Sequence, residues 1–223
     1  QKKNKKNKKK NKKNKKGQIV IVNNIQPPQN QEIDLRVINL FGDITEKKAS
    51  DIIGALLFLE NNSHTIMPAP VEDDELEASG SLVIARPISL MVSTHGGSAS
   101  DMFSILDVMS MIKERTCDVE TYGVGKVMSA GVLILAAGTK GKRKVGKNCR
   151  IMLHNVMAGT AGTIFSMENE LEEIRWVQER YIQCLAKLTS LTPSKIKKLL
   201  KTQKDVYISA EEAIKMGIAD EII

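Results

Sequence analysis

The chain has 223 residues, 42% of them hydrophobic, and a formal net charge of +7. This length and composition suffice to bury a full core, and one compact domain of about 200 residues is the natural expectation. The positive charge is concentrated in residues 2–16, which contain eleven lysines, and the rest of the chain carries a net charge of −4. These numbers exclude a body that is basic throughout.

Residues 1–17 predict a disordered tail, because they consist of Lys and Asn with one Gln and one Gly and offer nothing that a core can bury. A lysine run binds polyanions by releasing their counterions, but no aromatic residue is interleaved here to stack on bases. We therefore expect a solvating tail with weak polyanion binding at most, rather than a specific nucleic-acid site.

The sequence offers no sign of a membrane protein or of an oxidised, secreted one. No apolar stretch approaches the roughly 20 residues of a membrane span, and no signal-peptide core follows the lysine-rich tail. The cysteines at 117, 149 and 184 are far apart and have no nearby ligand cluster for zinc. We expect a cytoplasmic protein without membrane association, whose cysteines are reduced packing residues.

The body of the chain comprises residues 18–223. Its first part, up to residue 87, is predicted to contain strands, one helix and an insertion. Residues 19–22 and 35–41 are strand-like, and apolar residues recur at helical spacing between Glu46 and Glu60. Residues 61–87 contain prolines and an acidic run. We predict an exposed loop insertion at about 62–87, solvated rather than binding a metal.

Strand and helix patterns then alternate along the chain. Residues 88–92 are strand-like and lead through a glycine turn at 93–98 into a helical pattern. Residues 118–125 repeat this outline, and the helix that follows begins near Ser129. Residues 150–154 are a third strand candidate. This alternation predicts a layered α/β fold with repeated strand-helix crossings.

The last third of the chain predicts a long amphipathic helix from about 166 to 188. It exceeds the usual globular helix in length, and such an element often projects to pack against another subunit. Thr192–Pro193 combines an N-cap with proline at the first helical position, and Ser209–Glu212 has the capping-box pattern. A short helix is expected after each.

Ser129 raises the question of catalysis. At a helix start, the neighbouring backbone amides are unpaired and the helix dipole favours negative charge, so an oxyanion fits there. Taken alone, the segment is explained more simply by an N-cap serine, and Val127 stands where the Gly-x-Ser-x-Gly elbow has glycine. A nucleophile also needs a base and an orienting carboxylate.

The chain has three histidines that qualify as a base. His64 lies in the acidic insertion, His95 in the glycine turn, and His154 ends a strand candidate. A histidine at the end of a strand faces a site in some proteins and is satisfied within the core in others. The segment alone does not choose between these interpretations.

Five blocks of sequence, taken together, resemble the proteolytic subunit of the Clp protease. Their order and spacing agree with that family, and the resemblance runs from about Arg36 to Ile223, interrupted by the acidic insertion. It implies an α/β, ClpP/crotonase-like fold of repeated strand-helix units with a projecting handle helix. The blocks are residues 93–98, 125–131, 136–143, 148–154 and 205–213.

The resemblance implies a serine endopeptidase that hydrolyses unfolded polypeptides or peptides inside a ring-shaped chamber. The family's nucleophile, base and acid match Ser129, His154 and Asp205, which would form a Ser-His-Asp triad. The backbone amides of Gly97 and Ala130 match its oxyanion hole.

Three glycines match positions where the family binds its substrate: Gly96 beside the oxyanion hole, and Gly159 and Gly162 in the adjoining strand. Without a Cβ, such residues allow a substrate backbone to approach closely. The resemblance implies no metal and no cofactor in this chain, and ATP would be used only by a partner unfoldase.

The family assembles seven-membered rings that stack into tetradecamers and work with a hexameric AAA+ unfoldase, and the same homo-oligomer is expected here.

Some positions depart from the family. His95 adds a titratable group beside the oxyanion hole, although a packing or solvent contact is the simpler interpretation. Asn155–Val156 replaces Gln-Pro, and Gln203–Lys204 replaces an acidic-Arg pair that joins rings. One ring or two therefore stays open.

The tail and the acidic insertion fall where the family builds its pore and docks its ATPase, so an altered or absent response to a standard unfoldase is expected. Two alternatives remain. One is a noncatalytic Clp-like subunit that completes or regulates a mixed ring. The other is a crotonase-type acyl-CoA enzyme, which does not need the serine, histidine and aspartate set.

Overall fold

The structure is a computed structural model that describes residues 35–68, 81–201 and 205–223. The predicted tail at 1–17, the strand candidate at 19–22 and the acidic run of the insertion lie outside these residues. Two units are distinguished by their contacts. One contains residues 64–85, and the other contains the remaining described residues.

Nine strands lie within the described ranges, and all but β2 and β3 belong to one sheet. They are β1 (Val37–Phe41), β2 (His64–Pro68), β3 (Ser81–Ala85), β4 (Ile88–Thr94), β5 (Val119–Met128), β6 (Arg143–Val145), β7 (Arg150–Leu153), β8 (Val206–Ile208) and β9 (Glu221–Ile222).

The described residues also form six helices. They are α1 (Glu46–Asn61), α2 (Ala99–Arg115), α3 (Ala130–Ala136), α4 (Ile164–Leu188), α5 (Pro193–Leu200) and α6 (Ala210–Lys215). The predicted caps are confirmed: the Thr192 side chain accepts a hydrogen bond from Lys195 N, and Ser209 with Glu212 forms the capping box.

The main sheet has the order β1-β4-β5-β6-β9, with β7 also paired to β5 and β8 to β7. Every pair is parallel except β7 with β8. Alternate residues of β4 are buried and partly buried, as expected of a central strand. The predicted α/β class with repeated strand-helix units is thereby confirmed.

Two helices set the position of the site. Every residue of α3 is buried, which explains its run of small and aliphatic residues. The buried residues of α4 all lie in its C-terminal half, at Tyr181, Ile182 and Leu185, whereas the N-terminal half is largely exposed. The long helix is therefore anchored at one end and projects at the other, as predicted.

The insertion differs from the exposed loop that the sequence predicted. Strands β2 and β3 form an antiparallel hairpin in which Thr65 pairs with Ile84 and Ile66 with Val83. These four residues are β-branched and favour a pleated conformation, and the proline at 68 stands at the end of its strand, where it costs little. The loop prediction weighted the prolines and acidic residues of this segment more heavily than its β-branched residues.

Strand β5 is longer than the sequence predicted. It continues beyond Gly125, which adopts φ +66°, to Met128, so Ser129 follows the strand directly. Strands β6, β8 and β9 are also short additions that apolar patterning did not reveal. Among the described helices, none is long and apolar enough to cross a lipid bilayer.

Candidate active site

The site lies at the ends of two neighbouring parallel strands. Strands β5 and β7 pair with Met128 opposite Met152, and the backbone N–H of Ser129 donates to the Met152 carbonyl oxygen at 2.8 Å. The C-terminal ends of parallel strands meet at one edge of a sheet, where α/β proteins commonly bind ligands. Ser129 and His154 are both carried to this edge.

Ser129 and His154 form a direct side-chain contact. The distance from His154 Nε2 to Ser129 Oγ is 2.7 Å, a good hydrogen bond. Nε2 accepts the hydroxyl proton when the neutral imidazole carries its own proton on Nδ1. This is the arrangement that a serine nucleophile and its general base require.

The backbone of Ser129 is strained. Its φ of +53° makes it the only residue other than glycine with positive φ among those described. Ser129 occupies the N-cap position of α3, but its side chain caps no amide, so capping does not explain the choice of residue. A sharp turn between strand and helix instead presents Oγ to His154, and strained residues of this kind cluster at functional sites.

Tyr181 of α4 supports this strained residue. Its hydroxyl donates to the Ser129 carbonyl oxygen at 3.2 Å, and the amide of Val132 donates to the same oxygen at 3.0 Å. The ring is buried, and burial raises the pKa of the phenol, so the hydroxyl keeps its proton. Tyr181 lies on the long amphipathic helix that the sequence predicted, but the sequence alone assigned it no role at the site.

Gly96 and Gly97 bring backbone close to Ser129, with φ of +108° and +148°. A Cβ at position 96 would lie 2.6 Å from Ser129 Cβ, and one at position 97 would collide with the Ile44 carbonyl oxygen. Glycine is therefore required at both positions by space as well as by conformation.

The backbone amides of Gly97 and Ala130 lie near Ser129, and neither donates to a protein acceptor within the described part of the chain. Ile44 donates to the Gly96 carbonyl and accepts from Ser98 N, a parallel bridge that turns the Gly97 N–H away from Ile44. The Ala130 amide is the first of α3 and has no partner within the helix. The sequence had predicted these two amides as oxyanion donors.

A pocket of about 290 Å³ opens over Ser129. His95, which is exposed, forms part of its wall, so its interpretation as a plain solvent contact is incomplete. Gly159 and Gly162 are not among the lining residues. The pocket is lined by His95, Gly97, Ser98, Ala99, Met102, Ser129, Ala130, His154, Asn155, Val156, Met157, Val177 and Tyr181.

Asp205, the predicted acid, forms neither a hydrogen bond nor an ion pair with His154 within the described residues. Strands β7 and β8 are antiparallel with Leu153 opposite Val206, and one further step in this register sets His154 opposite Asp205. The Asp205 residue is exposed, and no hydrogen bond joins it to His154 among the described residues. The structure thus brings Ser129 and His154 together, whereas the role of Asp205 stays a prediction.

The remaining histidine, His64, is exposed on the hairpin unit. The lining residues Met102 and Val177 lie on α2 and α4, two helices that the sequence predicted without assigning these residues to a pocket. Nothing in their spacing distinguishes a pocket wall from a core. Tyr181 offered a signal, because a hydroxyl on an otherwise apolar helix face needs a buried acceptor.

The three cysteines form no disulfide. Burial raises the pKa of Cys149 to about 11, so its thiol is un-ionised and unreactive at neutral pH. Within the ranges that the structure describes, no group of three or more His, Cys, Asp or Glu residues is arranged to hold a metal ion.

Comparison with protein families agrees with this geometry. The sequence model described as Clp protease matches residues 78–223, well over half of the chain, and the match includes Ser129, His154 and Asp205. Members of this family are peptidases that form ring-like oligomers and work with Clp ATPases. The chain therefore belongs to the Clp protease family.

Proposed function

We propose that the chain is a serine endopeptidase that hydrolyses unfolded polypeptides or peptides inside a ring-shaped chamber. The observation that carries this proposal is the 2.7 Å contact between Ser129 Oγ and His154 Nε2, made by a serine whose backbone is held in a strained turn. A serine that served only to cap a helix would need neither the contact with His154 nor a strained backbone.

The proposed reaction is acyl transfer to water in two steps. His154 Nε2 takes the Ser129 proton while Oγ attacks the scissile carbonyl carbon, and the carbonyl electron pair moves to oxygen. When the tetrahedral intermediate collapses, the C–N bond breaks and the imidazolium gives its proton to the leaving amine. Water, deprotonated by the same imidazole, then releases the acyl group and restores Ser129.

The amides of Gly97 and Ala130 are the proposed donors to the oxyanion. Both line the pocket, and neither has a protein acceptor among the described residues. Fixed donors of this kind lose little to reorganisation when charge develops, and removal of one costs about 2.7–4 kcal/mol of transition-state stabilisation in a serine protease.

Asp205 is the proposed orienting acid. Directly opposed residues of an antiparallel pair place their side chains on the same face with Cβ atoms about 5 Å apart. A carboxylate opposite His154 is thus within reach of Nδ1 after rotation of its side chain. Accepting the Nδ1 proton would select the tautomer that leaves Nε2 free for Ser129.

A heptameric ring, stacked in pairs as a tetradecamer and fed by an AAA+ unfoldase, is the proposed assembly. The family's ring-like oligomers support it, and so do large apolar side chains left exposed on a projecting helix, which mark contact surfaces. Those on α4 are Ile164, Phe165, Leu171 and Trp176.

Three free cysteines fit a reducing compartment, which supports the cytoplasm as the proposed location. The altered or absent response to a standard unfoldase remains a hypothesis, and retention of the full-length protein on an immobilised unfoldase would overturn it. Polyanion binding by the lysine tail is a proposed accessory activity that should weaken steeply with salt.

Labelling with a fluorophosphonate probe tests the catalytic proposal. The wild-type oligomer should gain the mass of one phosphonyl adduct per chain, whereas Ser129→Ala should gain none. Ser98→Ala is the matched control, since Ser98 lines the same pocket but makes no contact with His154. Labelling that survives in Ser129→Ala would refute the assignment of the nucleophile.

A noncatalytic Clp-like subunit is the second candidate. It is favoured by one observation, the absence of a hydrogen bond between Asp205 and His154 in the described residues. A well-folded oligomer that shows neither probe labelling nor peptide hydrolysis would support this candidate over the first.

A further inference from the structure

A second groove, larger than the serine pocket, lies between α4 and α5. Its volume is about 600 Å³, and Asn155 and Val156 line both it and the pocket over Ser129. The two cavities therefore adjoin along this dipeptide. The groove is lined by Asn155, Val156, Ile174, Arg175, Gln178, Glu179, Ile182, Lys197, Leu200 and Lys201.

The wall between the two cavities is held from both sides. Asn155 Nδ2 donates to the Leu200 carbonyl oxygen at 2.8 Å, and the Val156 amide donates to Gln178 Oε1 at 2.7 Å. One bond ties the dipeptide to α5 and the other ties it to α4. A polypeptide that occupies the serine pocket meets this fixed wall and has the groove next to it.

The groove has an excess of positive charge. Lys197 pairs with Glu179 at 2.8 Å, which neutralises both. Arg175 and Lys201 are exposed, and neither has a carboxylate partner in the described ranges. Two unneutralised cations in one groove favour an anionic occupant.

The side-chain amide of Gln178, which lines the groove, is held in one orientation. Its Oε1 accepts a hydrogen bond from the Val156 N–H, which can only donate. This bond fixes the orientation of the side-chain amide, so the second terminal atom of the side chain is the NH₂ nitrogen, Nε2. That Nε2 atom is buried and has no hydrogen-bond partner. Unsatisfied buried donors are rare in folded proteins, and a ligand oxygen would satisfy this one after displacing the side chains that cover it.

We propose that this groove extends the substrate cleft and binds acidic side chains that flank the scissile bond of the polypeptide. A carboxylate offers the oxygen that Gln178 Nε2 lacks and the charge that Arg175 and Lys201 complement. The inference rests on the proposed endopeptidase function, because it takes the serine pocket to be the place of cleavage.

Binding to a full-length Ser129→Ala protein tests the groove without any need for turnover. The probes are two dye-labelled peptides that share a central Leu. In one, Asp and Glu stand on both sides of this Leu, and in the other Asn and Gln replace them. The acidic peptide should bind about fivefold more tightly at low salt, and the difference should shrink as salt is added.

Gln178→Glu is the sharpest variant. The new carboxylate still accepts from the Val156 amide but replaces the unpartnered donor by an acceptor, so it should abolish the preference for the acidic peptide. Lys201→Glu should do the same through charge. Lys198→Glu makes the same change on an exposed residue of α5 that does not line the groove, and it should preserve the preference.

Equal binding of the two peptides, or loss of the preference in Lys198→Glu as much as in Lys201→Glu, would overturn the proposal. The proposal would also be overturned if Lys201→Glu changed the oligomeric state but left the peptide preference unchanged, because the groove would then be a subunit contact. Hydrolysis of the two peptides by wild-type protein is measured separately. Absence of turnover with an intact binding preference refutes catalysis alone, whereas turnover without preference refutes the groove alone.

Discussion

The hydroxyl of Tyr181 donates a hydrogen bond to the carbonyl oxygen of Ser129 across 3.2 Å. This bond joins α4, the helix that projects from the body, to the strained turn at Ser129, the proposed nucleophile. A contact that moved the anchored end of α4 would therefore act on the backbone of Ser129 itself. The turn at Ser129 and the projecting helix are linked by this hydrogen bond.

Tyr181→Phe removes this bond and keeps the ring. We expect the rate of fluorophosphonate labelling to fall on the order of tenfold, because small displacements of a reacting group are costly. The free energy of unfolding should fall by only about 1 kcal/mol. Tyr207→Phe, which alters an exposed tyrosine on β8, should change neither quantity. A normal labelling rate in Tyr181→Phe would show that the bond is structural only.

Gly96→Ala tests the close approach of the turn to the nucleophile. The added Cβ would lie 2.6 Å from Ser129 Cβ at a φ of +108°, so Ser129 must be displaced. We expect kcat/KM to fall by about 100-fold or more, with secondary structure retained by circular dichroism.

Gly54→Ala is the matched control for this change. Gly54 lies within α1, and a Cβ there meets nothing within 4 Å. Activity should be unaffected, and the helix should gain about 0.5–1 kcal/mol of stability. If both variants had equal activity, the steric account of Gly96 would be refuted.

Asp205→Asn tests the predicted acid. If the carboxylate orients His154, the amide should favour the wrong tautomer, and kcat should fall by about 10⁴-fold, as in other triads. The KM should change far less. Asp107→Asn, an exposed position on α2, provides the control. Activity within twofold of the wild type in Asp205→Asn would establish a Ser-His pair without an orienting carboxylate.

The sequence predicted most elements of the main sheet and its helices because their apolar residues follow a clear period. It missed β6, β8 and β9, which have three, three and two residues and are too short to show one. It also missed the hairpin, since prolines and acids outweighed the β-branched residues that form its rungs. The short strands were missed because of their length, and the hairpin was missed because of the residue composition of its segment.

For the site, residue type and family resemblance identified Ser129 and His154, whose contact the structure contains. They did not reveal the support from Tyr181 or the shared wall at Asn155 and Val156. Those features depend on how α4 crosses α3 and the end of β7. Such packing relationships join residues far apart in the chain and leave no local pattern in it.

The Arg143–Asp220 pair should make stability depend on pH. Arg143 is buried, and its Nη2 and Nε lie 2.5 and 2.8 Å from the Asp220 carboxylate oxygens. Desolvation raises the pKa of Asp220, but hydrogen bonds from the Arg143 side chain and from backbone amides outweigh it, so the pKa lies below its ordinary value. The contribution is present above the ordinary pKa of about 3.9 and is lost as the pH falls through the lowered, folded-state pKa.

Asp220→Asn should therefore reduce the free energy of unfolding by about 3 kcal/mol at neutral pH, because it leaves Arg143 buried without its anion. The difference between wild type and variant, measured by urea unfolding, should be constant from neutral pH down to about 5 and shrink below about 4. Asp51→Asn is the control, since its pair with Lys47 is exposed at 3.8 Å and should contribute little. A difference for Asp220→Asn that stays constant into the acid range would refute the ionic account and leave packing as the cause.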